Sequence, residues 1–434
     1  MKNWKENYKT KLCSPNEAIK NIKSGNRIVT GHACAEPTIL IEELVKNKEL
    51  FRNIEIIHLF TMGESEYAKE ENKEYFRHNA LFVSDKTRIT ANSSYGDFTP
   101  SFFFETPKLF QKGGVLQADV ALIQVSAPND EGYCSYSLSC DYTKAATENA
   151  KIVIAQINKN MPKTLGNCFL HIDDIDYIVE YDSPLIELKP LKIGEIEKKI
   201  GEYCASLIND GDTLQLGIGA IPDAVLSSLT EKKNLGIHSE MISDGVIDLI
   251  EAGVINNSMK NLNKGKIIVS FLMGTKKLYD YIDNNPKVEL HPIDYVNNPI
   301  IAAQNDNLVS INSTIQIDLM GQANSESIGH QQFSGTGGQV DFIRAASLSK
   351  GGKSILALHS TTAKGKISKI VFNLDEGATV TTSRNDIEYV VTEYGIAYLK
   401  GKTLRERAKC LISIAHPNFR EELTRKALEK FGTL

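Results

Sequence analysis

One short grammar occurs twice in this chain, and it narrows the folds open to it. Gly25-Asn26 closes a helical stretch and opens the strand-like run Arg27-Ile28-Val29-Thr30, which breaks at Gly31. Gly211-Asp212 does the same before Thr213-Leu214-Gln215-Leu216, which breaks at Gly217. Gly25 and Gly211 stand 186 positions apart, and so do Gly31 and Gly217. Around the first copy, Ser14 and Glu17 make a capping box about Pro15 that opens a helix over 14–24. A helix from Pro37 through Val45 and a strand at Ile54–Leu59 follow. Around the second, a helix over Pro222–Leu229 leads to a short apolar run ending near Gly236-Ile237. Alternating helices and strands predict an α/β fold with parallel sheet. An ordered repeat predicts two similar open α/β domains; Gly-Asp turns before strands are common enough that coincidence is the competing reading.

Length agrees, since 434 residues exceed what one small core organises. The stretch Ser183–Lys192 holds two prolines and no helical period, so the expected domains are 1–185 and 192–434. A helix-like segment, Glu195–Ile208, opens the second.

Bulk properties exclude several classes of function. Hydrophobic residues make up 41% and charged residues 24%, as in ordinary globular proteins. A net charge of −5 without a basic stripe argues against nucleic acid as a partner. No apolar run reaches the ~18 residues of a membrane span. Met1–Tyr8 contains no apolar core of a secretory signal. The seven cysteines are scattered without CxxC spacing, which points to a reducing, cytoplasmic compartment rather than to disulfides or zinc.

Three stretches carry the chemistry. Gly236-Ile237-His238-Ser239-Glu240 puts a carboxylate at the carboxyl end of a strand, where open α/β sheets bind ligands. The helix-like run Val246–Gly253 follows. Taken alone, Glu240 is either a solvated turn residue or a catalytic group. In the first half, the corresponding strand Ile54–Phe60 ends without a carboxylate. Gln215-Leu216-Gly217-Ile218-Gly219-Ala220-Ile221-Pro222 is a strand, a glycine turn and a helix start, suited either to an anion or simply to tight packing. It is not the dinucleotide fingerprint, because Pro222 occupies the third glycine position. Ser334-Gly335-Thr336-Gly337-Gly338-Gln339-Val340-Asp341-Phe342 lets the backbone approach a ligand and align several N–H groups, as an oxyanion requires. The histidines, among them His32, His58, His238 and His359, lack metal-ligand spacing and read as core or pocket residues. No GxSxG elbow is present.

With these stretches in order, the chain resembles the acetyl-CoA hydrolase/transferase family, in particular its clostridial 4-hydroxybutyrate CoA-transferases and butyryl-CoA:acetate CoA-transferases. Thr213–Val225, Gly236–Val246, Phe271–Lys277, Thr381–Gly395 and Ile414–Pro417 carry the likeness, which runs from about residue 4 to the C-terminus. The resemblance implies two CoA-transferase-like α/β domains and Glu240 as the catalytic glutamate, forming a glutamyl-CoA thioester in a ping-pong cycle. It implies that CoA is held by Gln215, Leu216, Gly217, Ile218, Gly219, Ile315, Ser334, Gly335, Gly337, Gly338 and Lys364. It further implies no metal and no permanently bound cofactor, CoA and its acyl thioesters serving as substrates, and a homodimer or a dimer of dimers. His32, Met62, Tyr95 and Gln124 of the first domain are the candidates for the acyl pocket wall. Two positions depart from close relatives: Thr336 stands for Val, and His359-Ser360 for Pro-Ser. Alternative readings are an acyl-CoA hydrolase working through the same glutamate and a catalytically silent CoA-binding module. A dehydrogenase is disfavoured by Pro222.

Overall fold

In the computed structural model, which describes residues 4–434, the repeated turns take up the same geometry. Met1, Lys2 and Asn3, the start of the stretch read for a leader, lie outside the described residues. Gly25 and Gly211 adopt φ of +80° and +81°, a left-handed turn that favours glycine. Their N–H groups donate to Arg52 O and Lys233 O, both at 2.9 Å. The next carbonyls, of Asn26 and Asp212, accept from Glu55 N and Gly236 N. The coincidence of sequence is therefore a coincidence of hydrogen bonding.

The chain divides into two compact units. The first runs to Leu188 and also takes in Ile268–Val296; the second holds Lys189–Ile267 and Asn297–Leu434. A single boundary between 185 and 192 is thus too simple, because residues 268–296 return to the first unit. Between Tyr181 and Gly194 the chain forms neither helix nor strand, as two prolines dictate.

In the first unit, β1 (Arg27–Thr30), β2 (Ile54–His58), β3 (Phe76–Ala80), β4 (Gly96–Phe98), β5 (Val120–Val125), β6 (Ile152–Ile157) and β7 (Tyr177–Glu180) form one parallel sheet. Its order is β7-β6-β5-β1-β2-β3-β4. The capping box of Ser14 and Glu17 is formed at the start of helix α1 (Pro15–Ile19). Helix α2 (Thr38–Lys46) buries Leu40 and Leu44 against a core that includes Ile28, Ile56, Leu122 and Ile154. Every residue of β5 is buried, as expected for a parallel strand covered on both faces.

In the second unit, helix α3 (Glu195–Ser206) precedes β8 (Thr213–Leu216), helix α4 (Ala220–Ser227), β9 (Gly236–Ile237) and helix α5 (Asp244–Glu251). Then come β10 (Leu308–Ser313), helix α6 (Gln339–Leu348), β11 (Lys353–Ala357), β12 (Tyr389–Thr392) and β13 (Gly395–Tyr398). The sheet order is β9-β8-β10-β11-β12-β13, parallel except for the β12–β13 hairpin. Setting β2-β1-β5-β6-β7 beside β9-β8-β10-β11-β12 shows one topology used twice. By the Glu55–Gly236 correspondence, the position of Glu240 falls on Leu59 in the first unit, a buried apolar residue. The carboxylate stands in one copy only.

Candidate active site

In a β–helix–β crossover between parallel strands, the helix starts where the first strand ends. Helices α4, α5 and α6 therefore all begin at the carboxyl edge of the second unit's sheet. Their first N–H groups have no carbonyl within their own helix, and each helix places partial positive charge at its start. Glu240 sits three residues beyond β9 at that edge, half-buried.

Side chains hold the backbone around Glu240 where the ladder stops. His238 N–H donates to Leu214 O at 3.1 Å. Beyond it the Ser239 hydroxyl continues the pairing, donating to Leu216 O at 3.1 Å and accepting from Leu216 N–H at 3.3 Å. On the outer side of this edge strand, Asn257 Oδ1 accepts from Ile237 N–H at 2.8 Å. The buried Lys260 ammonium donates to Ile237 O and Lys266 O, both at 2.7 Å. The fully buried His238 ring lies edge-on to Phe342 of α6, with Nδ1 3.4 Å from Asn305 Nδ2.

The carboxylate itself meets two residues of the same unit, Asn297 and Gly338. Asn297, fully buried, donates through Nδ2 to Glu240 Oε2 at 2.9 Å. The same nitrogen lies 3.3 Å from Oδ2 of Asp341, a buried residue in the first turn of α6. Gly338, the residue before α6, passes so close that a Cβ there would stand 1.8 Å from Glu240 Oε2 and 2.3 Å from Asn297 Nδ2. Any side chain at 338 would displace the carboxylate.

The glycine loop is fixed from behind rather than loose. Phe333 and Ser334 N–H groups both donate to Glu326 O, and Ser334 Oγ donates to Ser325 O at 2.7 Å. Gln339 Nε2 donates to Ser325 Oγ and to Thr382 Oγ1, both at 2.9 Å. Ser325 Oγ donates to Thr314 Oγ1 at 3.0 Å. Such a frame fixes the backbone on both sides of the glycines ahead of α6, and donors ordered in advance are what oxyanion stabilisation needs.

The expected CoA-binding residues are distributed over this same edge. Gln215, on β8, exchanges amide hydrogen bonds with Asn312 of β10 at 3.0 and 3.3 Å. Leu216, Gly217, Ile218 and Gly219 make the turn into α4, with Ile218 exposed at its apex. Ile315 follows β10, its N–H bonded to Asn324 O. Lys364 lies exposed in the turn of a short hairpin between Thr361-Thr362 and Ile367-Ser368. Of the two departures, Thr336 is half-buried within the glycine loop. His359 Nε2 lies 2.7 Å from Glu197 Oε1 of α3, while Ser360 donates through N–H and Oγ to Glu393.

Among the pocket-wall candidates, three share the carboxyl edge of the first unit's sheet. His32, just beyond β1, is fully buried between Tyr142 and Phe271, with Nε2 bonded to Asp141. Burial opposes charge on Asp141, but His32, the Ser139 hydroxyl and the Thr143 N–H outweigh it and hold the carboxyl below its usual range. Gln124 is tied to Glu36 O, Gln156 and Asn158. Met62 accepts a weak hydrogen bond from the Cys34 thiol at 3.6 Å. Tyr95 stands apart: it precedes β4, whose register sets Gly96 beside His78, so it falls at the amino-terminal side of the sheet.

Asn297 and Asp341 carry no local signature of a role at Glu240. One clue is present at Asn297-Asn298-Pro299. Asn298 caps the short helix Pro299–Ala302 by accepting from Ile300 N–H, which explains one asparagine and leaves its neighbour without a local task.

Among the described residues no cluster of three or more His, Cys, Asp and Glu side chains suits a metal ion, and no helix is long and apolar enough to cross a membrane. The chain matches the acetyl-CoA hydrolase/transferase N-terminal domain over residues 1–188 and the C-terminal domain of the same family over 274–427. It is 61% identical to the 4-hydroxybutyrate coenzyme A transferase of Clostridium kluyveri, across 99% of this chain and 100% of that one. It is 35% identical to the butyryl-CoA:acetate CoA-transferase of Anaerostipes caccae, across 98% and 97%. The crystal structure of 4-hydroxybutyrate CoA-transferase from Porphyromonas gingivalis superposes with a TM-score of 0.86 at 43% identity, covering 99% of this chain and 100% of that one. The chain belongs to the acetyl-CoA hydrolase/transferase family.

Proposed function

We propose that this protein is a CoA-transferase that moves CoA between short-chain carboxylates, 4-hydroxybutyrate or butyrate on one side and acetate on the other. The observation that carries the mechanism is the placement of Glu240, held by Asn297 against the start of α6 with Gly338 leaving room beside it. A carboxylate oxygen of Glu240 attacks the thioester carbon of an acyl-CoA. The C–S bond breaks, CoA leaves as thiolate, and an acyl-glutamyl anhydride remains. The thiolate then attacks the glutamyl carbonyl, the anhydride C–O bond breaks, and the acyl group departs as a free carboxylate. Glu240 is left as a CoA thioester, and a second carboxylate reverses both steps. Bond energy of the thioester is conserved throughout, so no oxidant, metal or nucleotide enters the balance.

Each attack places negative charge on a carbonyl oxygen. The Asn297 amide and the N–H groups at the start of α6 supply donors beside that oxygen, where fixed dipoles act most strongly. The edge carrying Gln215–Gly219, Ile315, Ser334–Gly338 and Lys364 is assigned to CoA, whose remote contacts assist the reacting carbon. The same reading puts the enzyme in the cytoplasm as a homodimer or a dimer of dimers, with no permanently bound cofactor.

Steady-state kinetics test it. With butyryl-CoA or 4-hydroxybutyryl-CoA and acetate varied together, double-reciprocal plots should give parallel lines, and acetyl-CoA should form only with acetate present. Thioester loss at the same rate without acetate would instead identify a hydrolase. CoA binding without any turnover would identify a binding module.

A further inference from the structure

Asn297 spends its amide in an unusual way. Its Nδ2 faces two carboxylates, Glu240 Oε2 at 2.9 Å and Asp341 Oδ2 at 3.3 Å, while its buried Oδ1 has no hydrogen-bond partner among the described residues. Rotating the amide by half a turn would set Oδ1 against both carboxylates, lone pair to lone pair. The two acceptors together therefore determine which end of Asn297 points at the reacting group.

Of these acceptors, Glu240 is not constant. In the proposed cycle it is a carboxylate, then a neutral anhydride, then a neutral thioester, and its oxygen is a weaker acceptor in the last two forms. Asp341 does not react. It sits on the first turn of α6, a position that favours an acidic side chain, and it is buried on a ten-residue helix. We propose that Asp341 is a positioning residue that keeps the Asn297 N–H directed at the glutamyl carbonyl while Glu240 is acylated. This inference rests on Glu240 being the nucleophile. Asp341 touches no substrate in this account and acts only through Asn297.

A double-mutant cycle reads this directly, because a residue that works solely through a second one loses its effect when the second is removed. Asp341→Asn keeps the volume but lets both amides flip. In the native background it should lower kcat by about 100-fold, the scale of a misplaced group at the reacting centre. The affinity for free CoA should change by no more than about 2-fold, since it does not depend on the acylated state. In an Asn297→Ala background the same substitution should cost less than about 2-fold. Equal losses in both backgrounds, or a loss confined to KM, would overturn the proposal. Asp341→Ser, smaller and free of the second amide, is read in the same way. Failure of both variants to yield folded, CoA-binding protein would also overturn it, by showing that Asp341 serves folding. The control separates the two claims: a native enzyme whose Glu240 is never labelled by acyl-CoA refutes the nucleophile, whereas a labelled Glu240 with equal losses refutes Asp341 alone.

Discussion

Glu240 and Gly338 constrain one another. With a Cβ at 338 placed 1.8 Å from Oε2, Gly338→Ala must push the carboxylate aside, and a displacement on that scale typically costs about 100-fold or more in rate. Measured kcat should fall accordingly, and the thermal transition should fall with it, because Gly338 is buried and the added Cβ also meets the fully buried Asn297 at 2.3 Å. Glu240→Ala should reduce turnover by about 1000-fold or more, the scale for removal of a covalent nucleophile, with CoA still bound. At this scale the sequence is legible for groups whose role is local. A carboxylate at a strand end and three glycines in four residues declare themselves. Asn297 and Asp341 do not, because their meaning arises from a meeting of residues 57 and 101 positions beyond Glu240, which no periodicity records.

At the scale of elements, the strand that carries Glu240 is unusual in being only Gly236-Ile237 long. Ser239, Asn257 and Lys260 complete it with side chains where backbone pairing ends. Ser239→Ala should cost about 1 kcal/mol, and Lys260→Met about 1–3 kcal/mol because two buried carbonyls lose their donor. Urea denaturation of the second unit's signal would measure both. The ammonium also closes the side of β9 that pairs with no further strand of its sheet. Strand positions in the repeated segments were readable from glycine turns and apolar runs, and the Ser14–Glu17 capping box marked a helix start, but the helix expected over 14–24 ends at Ile19. The side-chain completion of β9 was not readable, since Lys260 is indistinguishable in sequence from a solvated lysine.

In the first unit, β2 and β3 set two histidines face to face. His58 and His78 stack at 4.3 Å, and His58 Nε2 lies 2.5 Å from the Tyr67 hydroxyl. Burial pushes His78 down to about 4, partly opposed by its bond to Ile56 O. Burial, then the neighbouring His78 and His32, push His58 well down also. Asp97 is the acidic group that favours charge on His78. Below the ordinary histidine value near 6.5, the unfolded chain binds protons that the folded pair refuses, so stability falls as pH drops from about 6.5 towards 4, by roughly 1 kcal/mol per unit for each histidine. The midpoint of thermal unfolding should track that window, and His78→Gln should flatten it. A midpoint independent of pH over this range would contradict the assignment.

For the whole molecule, one five-strand parallel topology is used twice, and only the second copy places a carboxylate after its edge strand. The repeat and its asymmetry were visible in the glycine turns because those turns make the same hydrogen bonds in each unit. The return of Ile268–Val296 to the first unit was not visible, since a buried strand such as Ile267–Val269 has no mark of the unit it joins. A covalent bond at Glu240 is the central step of the proposed cycle. The most direct measurement is peptide mass spectrometry after incubation with 4-hydroxybutyryl-CoA or butyryl-CoA, without acceptor, followed by borohydride. The expected result is a CoA adduct on Glu240, converted by borohydride to the reduced side chain and absent from Glu240→Ala. An unmodified Glu240 in protein that still converts acyl-CoA and acetate to acetyl-CoA would contradict it.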